Sequence, residues 1–332
     1  MNKPRFNYKW NLADGYPESN GLKVFGTFIC GGGSTMGYKL AGFEHLGGVE
    51  IDPPIADVYK TNHNPKYLYV EDIRDFADRT EFPEELYDLD ILDGSPPCSS
   101  FSTVGNREKD WGKEKKFKEG QAFQRLDDLF FDYIKLAKKL QPKVIIAENV
   151  KGLIAGNAKI YVHKIKAALE DAGYKVQLFL LNAASMGVPQ KRERVFFICR
   201  RNDLNFLKLK LEFNENIIPF NRISEDDDSD NLTPLYRDYW LKAKQGESVG
   251  KFKAIKKLKM DDASFTIHTG DLYHPTQIRT CTKTEYCKIG SYPLDYNFKS
   301  IQPNYLIGMS VPPIMIAQIA TEINNQWFKY KK

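Results

Sequence analysis

Leu89-Asp90-Ile91-Leu92-Asp93-Gly94-Ser95-Pro96-Pro97-Cys98 is the stretch that decides the fold. Its first four residues form the short apolar run of a buried strand, and the Pro-Pro turn ends it abruptly. In an open α/β sheet, ligands and chemistry gather at the carboxyl ends of the strands. Two successive prolines fix φ and remove two N–H donors, so the turn is stiff and holds Cys98 at one place and angle. A cysteine so presented is a candidate nucleophile. On this stretch alone the commoner reading is a buried cysteine behind ordinary turn punctuation.

Working outward, Val24 to Ile29 reads as a strand running into Cys30-Gly31-Gly32-Gly33-Ser34-Thr35-Met36-Gly37, before a helical stretch, Tyr38 to Phe43. Val49 to Asp52 is the next strand and Tyr67 to Val70 a third, followed by Glu71-Asp72-Ile73. Beyond the Cys98 turn, residues 106–120 are rich in lysine and glycine without an apolar stripe, which predicts a mobile loop. From Leu126, the apolar positions Leu129, Phe130, Tyr133, Ile134, Ala137 and Leu140 recur at helical steps until Pro142 ends them. Val144 to Ala147 is another buried strand with Glu148-Asn149-Val150 at its carboxyl end, and a helix from about Ile160 to Ala172 stops at Gly173. Strands near Val176–Leu181 and Val195–Cys199 flank the loop Asn182 to Arg194.

This alternation predicts an α/β fold with a doubly wound, mostly parallel sheet up to about residue 200. The pattern then breaks. Residues 201–275 carry an acidic run, Glu225 to Asp230, and a basic run, Lys251, Lys253, Lys256, Lys257 and Lys259. They predict a second, smaller, irregular domain. The expected division is 1–200, 201–298, and a segment 299–332 that regains helical spacing after Pro312-Pro313 and packs back on the first domain. Residues 1–23 fit a loose arm or a packed extension alike.

The 332 residues carry a net charge of +5, a weak bias towards polyanionic partners. The five cysteines include no C-x-x-C pair, which argues against a structural zinc site or a disulfide framework and fits a reducing cytosol. No run is read as reaching the ~18 apolar residues of a membrane span. A soluble, cytoplasmic monomer without a membrane partner is the expectation.

The Gly31-Gly32-Gly33 turn lets backbone approach a ligand closely, and Glu50, about twenty residues on, ends the next strand where an acid can bond ribose hydroxyls. The pair points to a nucleoside-containing cofactor, with tight packing as the other reading. Asp72, at the following strand end, is a further contact of that kind. Glu148 ends a strand in the same layer as Cys98 and suits general-acid work. Gln190, Arg192 and Arg194 share one face of an extended segment, which fits an anion or a base edge, or a solvated strand.

In this order the motifs resemble the DNA cytosine-5 methyltransferase family, from about residue 24 to 320 apart from 201–262. Phe28 through Gly37 resembles the motif that binds S-adenosylmethionine, and the resemblance implies Phe28, Gly31, Gly32, Gly33, Glu50, Ile51, Asp72, Ile73 and Pro96 as its contacts. Pro96-Pro97-Cys98 resembles the nucleophile motif, with Ser99 in place of a frequent glutamine. Glu148-Asn149-Val150 and Gln190, Arg192, Arg194 resemble the glutamate and Q-x-R-x-R motifs. Arg279, Thr282 and Glu285, and Gly308 to Pro313, resemble two later motifs, with Thr284 and Met309 off pattern.

The resemblance implies methyl transfer to carbon 5 of a flipped-out cytosine in a short duplex DNA sequence, with S-adenosylhomocysteine as product. Cys98, Glu148, Arg192 and Arg194 are then catalytic, and Ser102, Gln190, Lys256 and Lys257 contact nucleic acid. Loop 106–120 closes over the base, residues 201–275 hold most of the target recognition, and a cognate restriction endonuclease in a bacterial or phage-type cell is an implied partner. The alternative in the same class is methylation of RNA, such as tRNA. A nicotinamide-dependent oxidoreductase would use the glycine turn but leave Cys98 and Glu148 unexplained, and a silent DNA-binding protein would not need them.

Overall fold

The computed structural model describes residues 5–97, 129–227, 229–250, 255–268 and 270–329. In chain order the first part comprises β1 (Lys23–Thr27), α1 (Gly33–Leu40), β2 (Glu44–Val49), α2 (Pro53–His63), β3 (Tyr67–Tyr69), α3 (Ile73–Asp78) and β4 (Ile91–Gly94). It continues with α4 (Leu129–Leu140), β5 (Val144–Val150), α5 (Lys159–Asp171), β6 (Tyr174–Asn182), the two-residue β7 (Gln190–Lys191) and β8 (Glu193–Arg201). Seven strands form one sheet in the order β3-β2-β1-β4-β5-β8-β6. β3, β2, β1, β4 and β5 run parallel, and β8 is antiparallel to both neighbours. This is the doubly wound, mostly parallel sheet that the sequence predicts. Its antiparallel end follows from the short β6–β8 connection, since a parallel return needs a crossover of a dozen or more residues.

The strand order reverses between β1 and β4, so the turns after these two strands, Phe28–Gly32 and Ser95–Pro97, border one crevice. Apolar clusters cover both faces of the sheet. One joins Phe25, Leu92, Ile145 and Phe197 to α3, α4 and α5, and the other joins Val24, Ile91, Ile146 and Phe196 to α1 and the C-terminal helix. The helical spacing of α4 works as expected, with Leu129, Phe130, Tyr133, Ile134, Ala137 and Leu140 all buried.

Several boundaries move. The second strand is Glu44–Val49 rather than Val49–Asp52, because Asp52 caps α2 by accepting from the Ile55 N–H with Pro53 and Pro54 in the first turn. α1 begins at Gly33, inside the glycine turn, and β4 reaches Gly94.

The rest comprises α6 (Pro234–Lys242), β9 (Lys256–Lys257), β10 (Ser264–Phe265), β11 (Leu272–Tyr273), α7 (Lys283–Gly290), α8 (Pro303–Met309) and α9 (Pro313–Ile323). Trp240, Val249 and Tyr273 make a small local core there. Phe206 and Leu209 pack instead on the α9 face of the large sheet, and Tyr286, Tyr292 and Tyr296 share a cluster with Trp10, Met36 and Ile55. Packing therefore draws both ends of segment 201–298 into the first unit.

The N-terminal stretch is a packed extension: the Trp10 indole donates to the Ser291 carbonyl at 3.0 Å, and Trp10 is buried. Contrary to the sequence expectation, Pro303–Phe328 is long and apolar enough to cross a membrane by composition, but its most apolar window is 78% buried inside the fold. The helix also breaks between α8 and α9, at residues 310–312. Its apolar character is core packing.

Candidate active site

Three backbone conformations build the turn after β1: Phe28, Cys30 and Gly32 all have positive φ, at 55°, 48° and 79°. Alternating left-handed residues of this kind make a concave backbone. Glu50 stabilises it, accepting from the Cys30 N–H at 2.9 Å and the Asp52 N–H at 3.0 Å. Glu50 is buried, and burial pushes its carboxyl up to about 7.

The glycines answer to protein rather than to ligand alone. A Cβ on Gly31 would meet Leu306, on Gly32 the His63 ring, and on Gly33 the Val311 carbonyl at 2.1 Å. Asp72 caps α3 and holds Arg74 through both its N–H and its guanidinium at 2.9 Å, while Ile73 is buried beneath and Ile51 is half-buried beside Glu50. A carboxylate has acceptor sites beyond the N–H bonds that Glu50 receives, so it can also accept from the hydroxyls of a ribose diol, and the site fits a nucleoside.

Cys98, Ser102 and loop 106–120, with Lys251 and Lys253, lie outside the described residues. The turn leading to Cys98 is held from the next strand: the buried Asn149 side chain donates to the Pro96 carbonyl at 3.1 Å. Glu148 meets Arg194, Nε to Oε1, at 2.9 Å, with 12% and 14% of their side chains exposed. Glu148 and Arg194 thus come together one strand away from the turn that leads to Cys98.

Arg192 and Gln190 do not join them at an open face. Arg192 is 3% exposed and donates to the Gly308 carbonyl at 3.0 Å and the Ile267 carbonyl at 3.4 Å. Gln190 donates to the Ile289 carbonyl and accepts from the Ile267 N–H, both at 3.2 Å. Alternation fixed the face correctly, but segment 264–268, paired to β7 through β10, covers it. Lys257 also departs from a phosphate contact: it is buried, its ammonium sits 3.5 Å from the Trp240 ring centroid, and it donates to the Trp240 and Ala243 carbonyls. Lys256 donates to the Ser248 hydroxyl and remains half-exposed.

Two residues escaped the sequence reading. Asp93, 5% exposed, accepts from the Tyr38 hydroxyl at 2.9 Å, and burial pushes its carboxyl up to about 7. The signal was present, since an acid inside an apolar strand run needs a reason. His268, half-buried, is pushed down to about 4 by burial and then by the charges of Arg192 and Arg194. Nothing in its local sequence marks it.

The strand order and the crevice between β1 and β4 define a Rossmann-like methyltransferase fold. The profile of the C-5 cytosine-specific DNA methylase family matches residues 22–244, and the chain belongs to that family. It is 36% identical over 189 residues to the Type II methyltransferase M.NgoPII of Neisseria gonorrhoeae, covering 56% of this chain and 50% of that protein. It is 30% identical over 350 residues to the Type II methyltransferase M.Sau96I of Staphylococcus aureus, covering 93% and 77%. The chain thus spans about half the length of M.NgoPII but most of M.Sau96I. A variant of the DNMT2 of Spodoptera frugiperda shares the fold, with a TM-score of 0.66 at 19% identity over 91% of this chain and 99% of that one. Family and fold together imply S-adenosylmethionine as the methyl donor.

Proposed function

We propose that this protein methylates carbon 5 of a cytosine flipped out of a short duplex DNA sequence, with Cys98 as nucleophile at carbon 6. The observation that carries the reading is the Glu148–Arg194 pair beside the Pro-Pro turn, tied to it by Asn149. The cofactor contacts in this reading are Phe28, Gly31, Gly32, Gly33, Glu50, Ile51, Asp72, Ile73 and Pro96. When bound, S-adenosylmethionine supplies an electrophilic sulfonium methyl group and leaves as S-adenosylhomocysteine.

Carbon 5 of cytosine is a weak nucleophile, and addition of the Cys98 thiolate at carbon 6 turns the ring into an enamine. Glu148, carrying a proton, donates to ring N3 and stabilises the charge that develops there. Arg194 holds the ring O2 and an adjoining phosphate. Arg192 acts behind it, fixing residues 267 and 308 around the crevice. Carbon 5 of the enamine forms the new bond to the methyl group, and loss of the carbon-5 proton to water then restores the C5–C6 double bond and expels Cys98 as thiolate. Neither face of the ring is reachable inside a stacked duplex, so the base leaves the helix first.

Ser102 and Lys256 remain proposed nucleic-acid contacts, and Gln190 supports them from below. The Type II names of the bacterial relatives support a short target site, a cytoplasmic setting and a cognate restriction endonuclease as partner. Transfer of tritiated methyl from S-adenosylmethionine to duplex DNA, with bisulfite sequencing of DNA from expressing cells, tests substrate and site. Label in tRNA but not in DNA would overturn the reading in favour of RNA.

A further inference from the structure

Gly31, in the middle of the turn after β1, is buried, and its carbonyl takes two side-chain donors. The His63 ring donates to it from Nε2 at 3.1 Å, and the Tyr296 hydroxyl donates to the same oxygen. Across the same peptide unit, the Gly32 N–H donates to the Ile29 carbonyl at 2.9 Å. Both polar groups of this peptide are therefore bonded to protein. The two donors come from elements far apart in sequence, His63 from the end of α2 and Tyr296 from the segment between α7 and α8.

The two rings are built into the fold beneath the turn. His63 is 6% exposed and Tyr296 is fully buried. A Cβ on Gly32 would overlap the His63 Nε2, so the glycine makes room for the ring. That ring packs between Tyr59 and Tyr296, with centroids 4.7 and 6.1 Å away. Its Nδ1 is buried with no partner among the described residues, and a carbonyl can only accept, so Nε2 carries the proton. Neighbours of each donor lace the two elements together. The Asn62 side chain donates to the Asn297 carbonyl and accepts from the Asn297 N–H, both at 2.9 Å, and Lys299 pairs with Asp57 of α2.

A peptide between two glycines turns over at little steric cost, because glycine reaches positive and negative φ about equally. Gly32 stands at φ 79°, and a half-turn of the unit would break all three bonds and offer a ligand a different face. The inference rests on the reading of this turn as the cofactor site. We propose that His63 and Tyr296 are positioning residues for S-adenosylmethionine: they hold the Gly31 carbonyl turned into the protein and so fix in advance the backbone that receives the cofactor. Either donor alone keeps the carbonyl satisfied. Loss of both leaves a buried acceptor without a partner, which costs more than losing one bond of two.

The test measures S-adenosylmethionine affinity by calorimetry on the full chain without DNA, for wild type, Tyr296→Phe, His63→Leu and the double variant. KM and kcat for methyl transfer to duplex DNA are measured alongside. Each single variant is expected to bind cofactor about fivefold more weakly and to raise its KM in step, with kcat at saturating cofactor within about twofold. The double variant is expected to bind about a hundredfold more weakly or worse, beyond the roughly 25-fold product of the singles. His63→Gln, whose amide nitrogen stands near the position of Nε2, is expected to bind within about twofold of wild type. Circular dichroism and thermal midpoints verify the fold, and His63→Asn, whose amide stops short of the carbonyl, replaces His63→Leu if that variant does not fold. Singles that lose thermal stability yet bind cofactor like wild type overturn the proposal. So does a double variant no weaker than the product of the singles, or His63→Gln as weak as His63→Leu. Wild type that binds no S-adenosylmethionine would instead overturn the reading of the turn as a cofactor site, and the proposal with it.

Discussion

At the residue scale, buried acids set the pH behaviour. Glu50 has its carboxyl raised from an ordinary 4.5 to about 7 by burial. Between these values the folded chain holds a proton that the unfolded chain has released, so stability falls as pH rises through that window. His63, pushed down to about 3 by burial, works the other way at lower pH, so the wild-type curve mixes the two. The difference between wild type and Glu50→Gln isolates the term: relative to the variant, wild type should lose on the order of 1–3 kcal/mol between pH 5 and 8 in denaturant titrations. A difference that is flat with pH would show that Glu50 is ionised throughout. Asn149→Ala makes a separate expectation. Its tether to Pro96 is one buried hydrogen bond, worth about 1 kcal/mol of stability. A turn released from its anchor should slow covalent trapping on 5-fluorocytosine DNA at least tenfold. Glu50, Glu148 and Arg194 were legible because each ends or adjoins a strand with a recognisable neighbour motif. The burial of Arg192 and Gln190 was not legible, since periodicity shows which way a side chain points and not which distant segment arrives to cover it, and Lys257 was read only as one charge in a basic run.

At the element scale, local signals located the strands and helices and tertiary contacts adjusted their ends. The α4 stripe and the stop at Gly173 needed no partner to be read. The start of α1 did, because Gly33 opens the helix where the Val311 carbonyl leaves no room for a side chain. Gly37 makes the same point within α1. A Cβ there would lie 2.5 Å from both the Pro313 carbonyl and the Ile316 Cβ, where α1 packs on α9. Backbone cannot give way as a flexible side chain can, so Gly37→Ala should destabilise by about 1–3 kcal/mol despite alanine's better helix propensity. An unchanged or raised thermal midpoint would mean that the two helices can separate by the needed ångström at no cost. The reversed direction of β8 was not legible from strand patterning, because parallel and antiparallel strands buried on both faces carry similar apolar runs.

At the scale of the whole molecule, the third apolar cluster does what neither sheet face does. It gathers Trp10 from the N-terminal arm, Met36 and Ile55 from the helices around the crevice, Phe220 and Leu258 from the second region, and Tyr292, Tyr296 and Leu306 from the C-terminal part. Four stretches far apart in sequence meet there, so no window of the chain announces it. The cluster reaches the glycine turn itself, since the Tyr296 hydroxyl and the His63 ring both bond the Gly31 carbonyl. The arm is fixed at two depths. Trp10 is buried and bonded to Ser291, whereas Leu12 and Ala13 donate their N–H groups to the carboxylate of Asp295 at an exposed rim. Truncating the buried anchor leaves a large cavity, so Trp10→Ala should cost about 3 kcal/mol. Removing the charge of the rim acceptor in Asp295→Asn should cost under about 1 kcal/mol. If the cluster transmits to the crevice, Trp10→Ala should also weaken S-adenosylmethionine binding several-fold at a temperature where the variant is folded, while Asp295→Asn should leave it unchanged. Equal cofactor affinity in the two variants would show that the arm stabilises the chain without shaping the turn after β1.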